Sequence, residues 1–194
     1  MIPPRRKRPR PGERRVQILQ VLSSVLGQPT PERITTASLA ARLEVSEAGL
    51  YRHFASKAQM FEALIESIED GVLAQVQHIS ADENGPGPRA GRIVTAVLEF
   101  GERNPGLSRV MAGDALVGEH ERLQRRMTQF FNKLQAALLQ CLRADAPLAS
   151  DFSAQLKASI LSAYITGRLH QYARSGFQQR PTELLEPALR HMLA

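Results

Sequence analysis

From Val16 onward, apolar residues return every three or four positions, and each run stops at a glycine or proline. That rhythm restricts the chain to packed helices. Val16, Leu19, Leu22, Val25 and Leu26 form the first stripe, closed by Gly27 and Pro29. Thr35 and Thr36 are N-cap candidates for a short apolar set at Leu39, Ala40 and Leu43, and Ser46 precedes the brief segment EAGLYRHF. Ser56 and Gln59 make a capping box before Met60, Phe61, Leu64, Ile65, Ile68, Val72, Val76 and Ile79. A helix over that stripe is about 36 Å long at 1.5 Å per residue. The loop ADENGPGP follows, then Ile93, Val94, Val97, Leu98 and Phe100, then a stop at Asn104-Pro105-Gly106. Further helices are expected near 118–144, near 149–175 and after Arg180-Pro181-Thr182. No stretch sustains β alternation. The expected fold class is all-α: three short helices, one long connector, then five more.

The charge is concentrated at one end. Arg5, Arg6, Lys7, Arg8, Arg10, Arg14 and Arg15 face only Glu13 within the first fifteen residues, and this alone accounts for the net charge of +6. A basic arm on a neutral body suits a polyanion, although a solvated tail explains such a run equally well. Pro3, Pro4, Pro9 and Pro11 argue against helix in the arm. Cys141 is the one cysteine, which rules out an internal disulfide or a thiolate zinc site and fits a reducing cytosol. No apolar run approaches the roughly 18 residues of a membrane span, and the basic start is not followed by a secretory h-region.

The stretch Arg33 to Phe61, RITTASLAARLEVSEAGLYRHFASKAQMF, places two short helices around the tight turn Leu43-Glu44-Val45-Ser46. That is the spacing of a helix-turn-helix, whose second helix enters the major groove of DNA. Ser46 ends the turn, and Ala48 and Gly49 are small enough for close approach, with Ala48 able to touch a thymine methyl. Tyr51, Arg52 and His53 offer donors for phosphates or base edges. Thr35, Thr36 and Lys57 stand at helix starts, where a phosphate is favoured. Leu39, Leu43, Leu50 and Phe54 form the packed side. Taken singly, Thr36 and Ser46 are more simply caps, and Tyr51 and His53 boundary residues; the order of the whole stretch favours DNA.

This quarter of the chain resembles the reading head of the TetR family, whose signature YxHF-x-SK appears as Tyr51-Arg52-His53-Phe54-Ala55-Ser56-Lys57. The blocks FGERNPGLSRVMAGDAL, RLQRRMTQFF and RSGFQQRPTELLEPALRHML extend the resemblance, in order, to one branch of that family, the nucleoid occlusion factors. The resemblance implies a cytoplasmic, nucleoid-associated homodimer on a palindromic double-stranded DNA site, with two dimers per site possible. It also implies a body that engages the tubulin-like division protein FtsZ and antagonises its polymerisation, blocking septation over the nucleoid. The implied FtsZ face is Glu66, Ser67 and Asp70 with Phe100, Arg103 and Asn104. The division expected is a basic arm over 1–12, a DNA-binding head over 13–55 and a dimerisation and partner-binding body over 56–194.

One short recognition helix buries too little for tight binding, so a two-fold dimer is expected, with half-sites about 34–36 Å apart. Leu156, Ile160, Leu161, Tyr164, Ile165 and Leu169 recur with helical spacing and are the candidate dimer interface. A ligand-responsive repressor is the competing reading; it shares the head and needs a pocket in the body. Enzyme classes find little support. The five histidines show no i, i+4 metal pair, G-x-S-x-G is absent, and Gly85, Gly87 and Gly91 have the wrong spacing for a dinucleotide loop. Cys141 reads as a small core residue. No cofactor, metal or small-molecule ligand is expected.

Overall fold

The computed structural model describes residues 12–30, 34–146 and 150–194; the basic arm, apart from Gly12, and the start of the expected 149–175 helix lie outside the described residues. Three helices form the head: α1 (Glu13–Leu26), α2 (Thr36–Arg42) and α3 (Glu47–Tyr51). α1 buries Ile18, Leu22, Val25 and Leu26, whereas Val16 is exposed, which corrects the stripe expected to begin there. Two residues along a helix is a turn of about 200°, so a face built on Ile18 sends Val16 outward. Leu39, Leu43, Leu50 and Phe54 close the head core, as their spacing predicted.

The connection between α2 and α3 follows from local hydrogen bonding. Thr35 caps α2 reciprocally with Ser38. At its other end Glu44 turns left-handed at φ 55°, and its N–H bonds Ala41 O (3.1 Å) while that of Val45 bonds Ala40 O (3.0 Å). This pair of bonds is a Schellman stop. It reverses the chain so that Ser46 can cap α3, its hydroxyl accepting from the Gly49 N–H at 3.1 Å.

The long connector α4 (Lys57–Ala81) buries Met60, Phe61, Leu64, Ile65, Ile68, Val72 and Val76, and Ile79 packs partly against the same core. Ser56 caps it, while Gln59 reaches back to the Ala55 N–H (2.8 Å), one residue before the partner a reciprocal box would use. The body follows as α5 (Arg89–Arg103), α6 (Pro105–Met111), α7 (Glu121–Asp145), α8 (Asp151–Arg174) and α9 (Leu185–Leu193), with a 3-10 turn at Asp114–Leu116. Asn104-Pro105 is a restart, not the simple stop the sequence suggested. Proline's missing N–H is harmless at the first helical position, so α6 begins there at once.

α7 packs on α8 and α4 on both α5 and α7, around a core containing Ile93, Leu98, Phe130, Leu134 and Leu161. Arg126 binds Glu69 at 2.6 Å and Arg122 binds Glu62 at 2.7 Å, bracing α4 against α7. The head is attached to the body through α6. There Gly106 lies so close to α1 that a Cβ on it would sit 2.0 Å from the Ser23 carbonyl oxygen. Buried Arg109, also on α6, donates to the Gln28 carbonyl (3.0 Å) and lies over the Phe177 ring at 4.8 Å. Lys57, at the start of α4, pairs with Glu119 beyond the 3-10 turn.

Candidate nucleic-acid interface

Helix α3 lies across the head surface with Leu50 wholly buried beneath it. Ala48, Tyr51 and Arg52 are exposed, and Gly49 and His53 are half-buried beside them. The five residues expected on the reading helix and its rim therefore share one region of the surface. A Cβ added to Gly49 would make only ordinary contacts, the nearest 3.4 Å from Ser46 Oγ, so the glycine is not demanded by space. Ser46 Oγ is engaged in capping, which makes its first role structural.

The residues at the preceding helix start are more constrained than their sequence position suggests. Thr35 Oγ1 accepts from the Ser38 N–H at 3.1 Å. The Thr36 hydroxyl donates to Glu47 Oε2 at 2.7 Å, and Tyr51 OH donates to Thr36 Oγ1 at 3.4 Å. A hydroxyl has a single proton to donate, so in this arrangement that of Thr36 is committed to Glu47. Lys57 is likewise occupied: its ammonium pairs with Glu119 and stands 5.7 Å from the Phe61 ring centroid.

Two residues that sequence reading passed over take part in the site. Glu47, exposed at the first position of α3, ties that helix to α2 through Thr36. Arg15 donates to the His53 carbonyl at 2.5 Å and lies over the Phe54 ring at 4.1 Å, holding the C-terminal end of the reading segment to α1. A contact spanning 38 positions leaves no periodic trace, and Glu47 directly after a helix cap reads in the sequence as an ordinary first-turn acid.

A second surface lies on the body. Gly71 of α4 approaches α5 so closely that a Cβ there would meet Phe100 at 2.7 Å, so residues 66–71 run beside residues 100–104. Glu66, Ser67, Asp70 and Arg103 are exposed, and Phe100 and Asn104 half-buried. The Ser67 hydroxyl donates to the Ala63 carbonyl (2.9 Å) and Asn104 Nδ2 to the Phe100 carbonyl (2.8 Å). Arg103 pairs with Glu99 at 3.7 Å. The six residues expected on the partner face thus lie on two neighbouring helices.

The expected dimer stripe divides. Leu161, Ile165 and Leu169 are wholly buried in the chain's own core, a correction to their reading as interface residues. They occupy one face of α8, and the other carries Phe152 (75% exposed), Leu156 (50%) and Ile160 (42%), with Tyr164 half-buried. One helix serves two apolar environments, which merged in the sequence into a single broad pattern. Cys141 is buried, its thiol 3.5 Å from Ser80 Oγ, and among the described residues no group of His, Cys, Asp or Glu is arranged to hold a metal. No described helix is long and apolar enough to cross a membrane.

Comparison with known proteins decides the family. Residues 18–64 match the model described as bacterial regulatory proteins, tetR family, and residues 88–193 match the SlmA-like model described as tetracyclin repressor-like, C-terminal domain. The chain belongs to the TetR family. Its similarity to two nucleoid occlusion factors named SlmA extends through head and body alike. It is 46% identical to that of Idiomarina loihiensis over 173 residues, 88% of each chain. It is 47% identical to that of Shewanella amazonensis over the same share. Among solved structures the fold resembles the fatty acid degradation regulator FadR of Bacillus halodurans (TM-score 0.76, 12% identity, 97% of each chain). It also resembles FadR of Bacillus subtilis solved in complex with stearoyl-CoA (TM-score 0.70, 11% identity, 92% of this chain and 97% of that one).

Proposed function

We propose that the chain is a nucleoid occlusion factor. In this reading it binds palindromic chromosomal DNA as a dimer and antagonises FtsZ polymerisation over the nucleoid, so that division is blocked there. The observation that carries the reading is that similarity to the nucleoid occlusion factors spans 88% of the chain. A regulator with another task needs only the head in common. In this reading the protein is not an enzyme and works in the cytoplasm on the nucleoid.

The residues divide among three tasks. Ala48, Gly49, Tyr51, Arg52 and His53 meet DNA, with Thr35 and Thr36 beside the phosphates at the start of α2 and Lys57 there once Glu119 yields. Glu66, Ser67, Asp70, Phe100, Arg103 and Asn104 meet FtsZ; the convergence of α4 and α5 on one surface supports this. Leu156, Ile160 and Tyr164 meet the second copy, with Phe152 extending the stripe, because apolar side chains this exposed in a row are costly in water. The arm over 1–12 adds non-specific grip.

A ligand-responsive repressor is the second reading. A cavity of about 410 Å³ between head and body, lined by Leu26, Ile34, Phe61, Lys57, Arg109 and Glu119, has the volume of a small-molecule site. Genome-wide occupancy in the host, followed by FtsZ sedimentation with and without the recovered DNA, separates the two. Many scattered palindromes and DNA-dependent loss of filaments support nucleoid occlusion. One or two promoter sites and unaltered filaments support the repressor.

A further inference from the structure

We infer that Glu47 is a base-reading residue, selecting cytosine at one position in each half-site. The inference rests on the head docking α3 in the major groove. The first two residues of that helix are Glu47 and Ala48, both exposed, and the Ser46 hydroxyl before them accepts from the Gly49 N–H at 3.1 Å. Of the two, only Glu47 can form a side-chain hydrogen bond to a base. A carboxylate repels phosphates, and Thr36 satisfies only Oε2, so in a DNA-facing position Oε1 must meet a donor to avoid a net loss.

Two donors face the major groove, the cytosine N4 amine and the adenine N6 amine. Adenine places its N7 acceptor beside N6. A carboxylate, which only accepts, meets a lone pair there and does better against cytosine. The structure prepares the group for this task. Thr36 fixes Oε2 at 2.7 Å, Tyr51 OH supports Thr36 from the far side at 3.4 Å, and Oε1 has no hydrogen-bond partner among the described residues. A carboxylate already held in place loses less freedom when it binds.

The test is selection of bound sites from a randomised double-stranded DNA library by the full-length protein and by Glu47→Ala and Glu47→Gln, with circular dichroism to verify folding. The wild-type protein is expected to demand cytosine at one position per half-site. In Glu47→Ala that position becomes degenerate, discrimination falling roughly 5-fold, the low end expected for a single bond to a base edge, while other positions keep their preferences. Glu47→Gln, which keeps an acceptor for Thr36 and gains an amide donor, is expected to admit adenine there. Base preferences unchanged in both variants, or affinity lost evenly at every position, would overturn the inference and leave Glu47 as a tie between α2 and α3. If the wild-type protein enriches no sequence at all, it is the assignment of the head that fails.

Discussion

Replacing Gly106 with alanine tests how firmly the head is joined to the body. A Cβ at this position would lie 2.0 Å from the Ser23 carbonyl oxygen and 2.8 Å from its carbon, where ordinary contact begins near 3.4 Å. The obstacle is main chain, so α1 must move as a whole by more than an ångström. The same carbonyl accepts the Gly27 N–H at 2.9 Å, and retreat strains the bond that ends α1. Alanine gains about 1 kcal/mol in helix propensity. Overpacking a tight site costs typically about 1–3 kcal/mol and sometimes more, and a weakened hydrogen bond adds about 1 kcal/mol. The expected net loss is about 1–3 kcal/mol, a fall in Tm of roughly 2–12 °C for a chain of this size. Thermal melts at one fixed protein concentration measure it, since any dimerisation makes Tm depend on concentration. Two substitutions grade the argument. Gly101→Ala meets the side-chain ends of Leu169 (2.4 Å) and Ser108 (2.7 Å), which can give way, and Gly27→Ala meets nothing closer than 3.4 Å. The order expected is Gly106 worst, Gly101 intermediate and Gly27 nearly neutral. A Gly106→Ala protein melting at or above the wild type refutes the reasoning.

Three other variants probe separate features. Leu156→Asp with Ile160→Asp is expected to leave a folded monomer in analytical ultracentrifugation, since both side chains are outside the core; a persisting dimer would place the interface elsewhere. Burial alone would raise the pKa of Glu102, but hydrogen bonds from Thr182 and Arg180 outweigh it and hold the carboxyl below its ordinary value. A depressed carboxyl stabilises the fold above its unfolded pKa and loses that contribution as pH falls through the folded value. Glu102→Gln should therefore cost more Tm at pH 7 than below pH of about 4, and an equal cost at both would contradict the sign. Tyr51→Phe removes the hydroxyl supporting Thr36 and should weaken binding to a cognate site several-fold with the salt slope unchanged, because no cation is lost; a changed slope would argue against that division of roles.

Much of the fold was written in local patterns. The α4 stripe from Met60 to Val76, the caps at Thr35, Ser46 and Ser56, and the packed residues of the head are short-range features, and the sequence carries them openly. Features that depend on distant partners were hidden. Periodicity could not divide α8 between its own core and an outer face, since Leu156 and Leu161 are equally apolar in a sequence. Pro105 reads alike as a stop and as a first helical residue. The engagement of Thr36 by Glu47 and of Lys57 by Glu119 depends on where helices cross, so residues that look free for phosphate in the sequence already have partners in the fold.

The close seat of Gly106 on α1 and the bond from Arg109 to the Gln28 carbonyl tie the head to the body. A head seated in this way leaves its reading helix little room to swivel. In the proposed dimer the span between the two reading helices is then set by the bodies alone, and the protein behaves as a rigid caliper. One extra base pair between half-sites moves them about 3.4 Å apart and turns them by roughly a tenth of a revolution. With no hinge to absorb either, the spacing of the palindrome would be enforced as strictly as its letters.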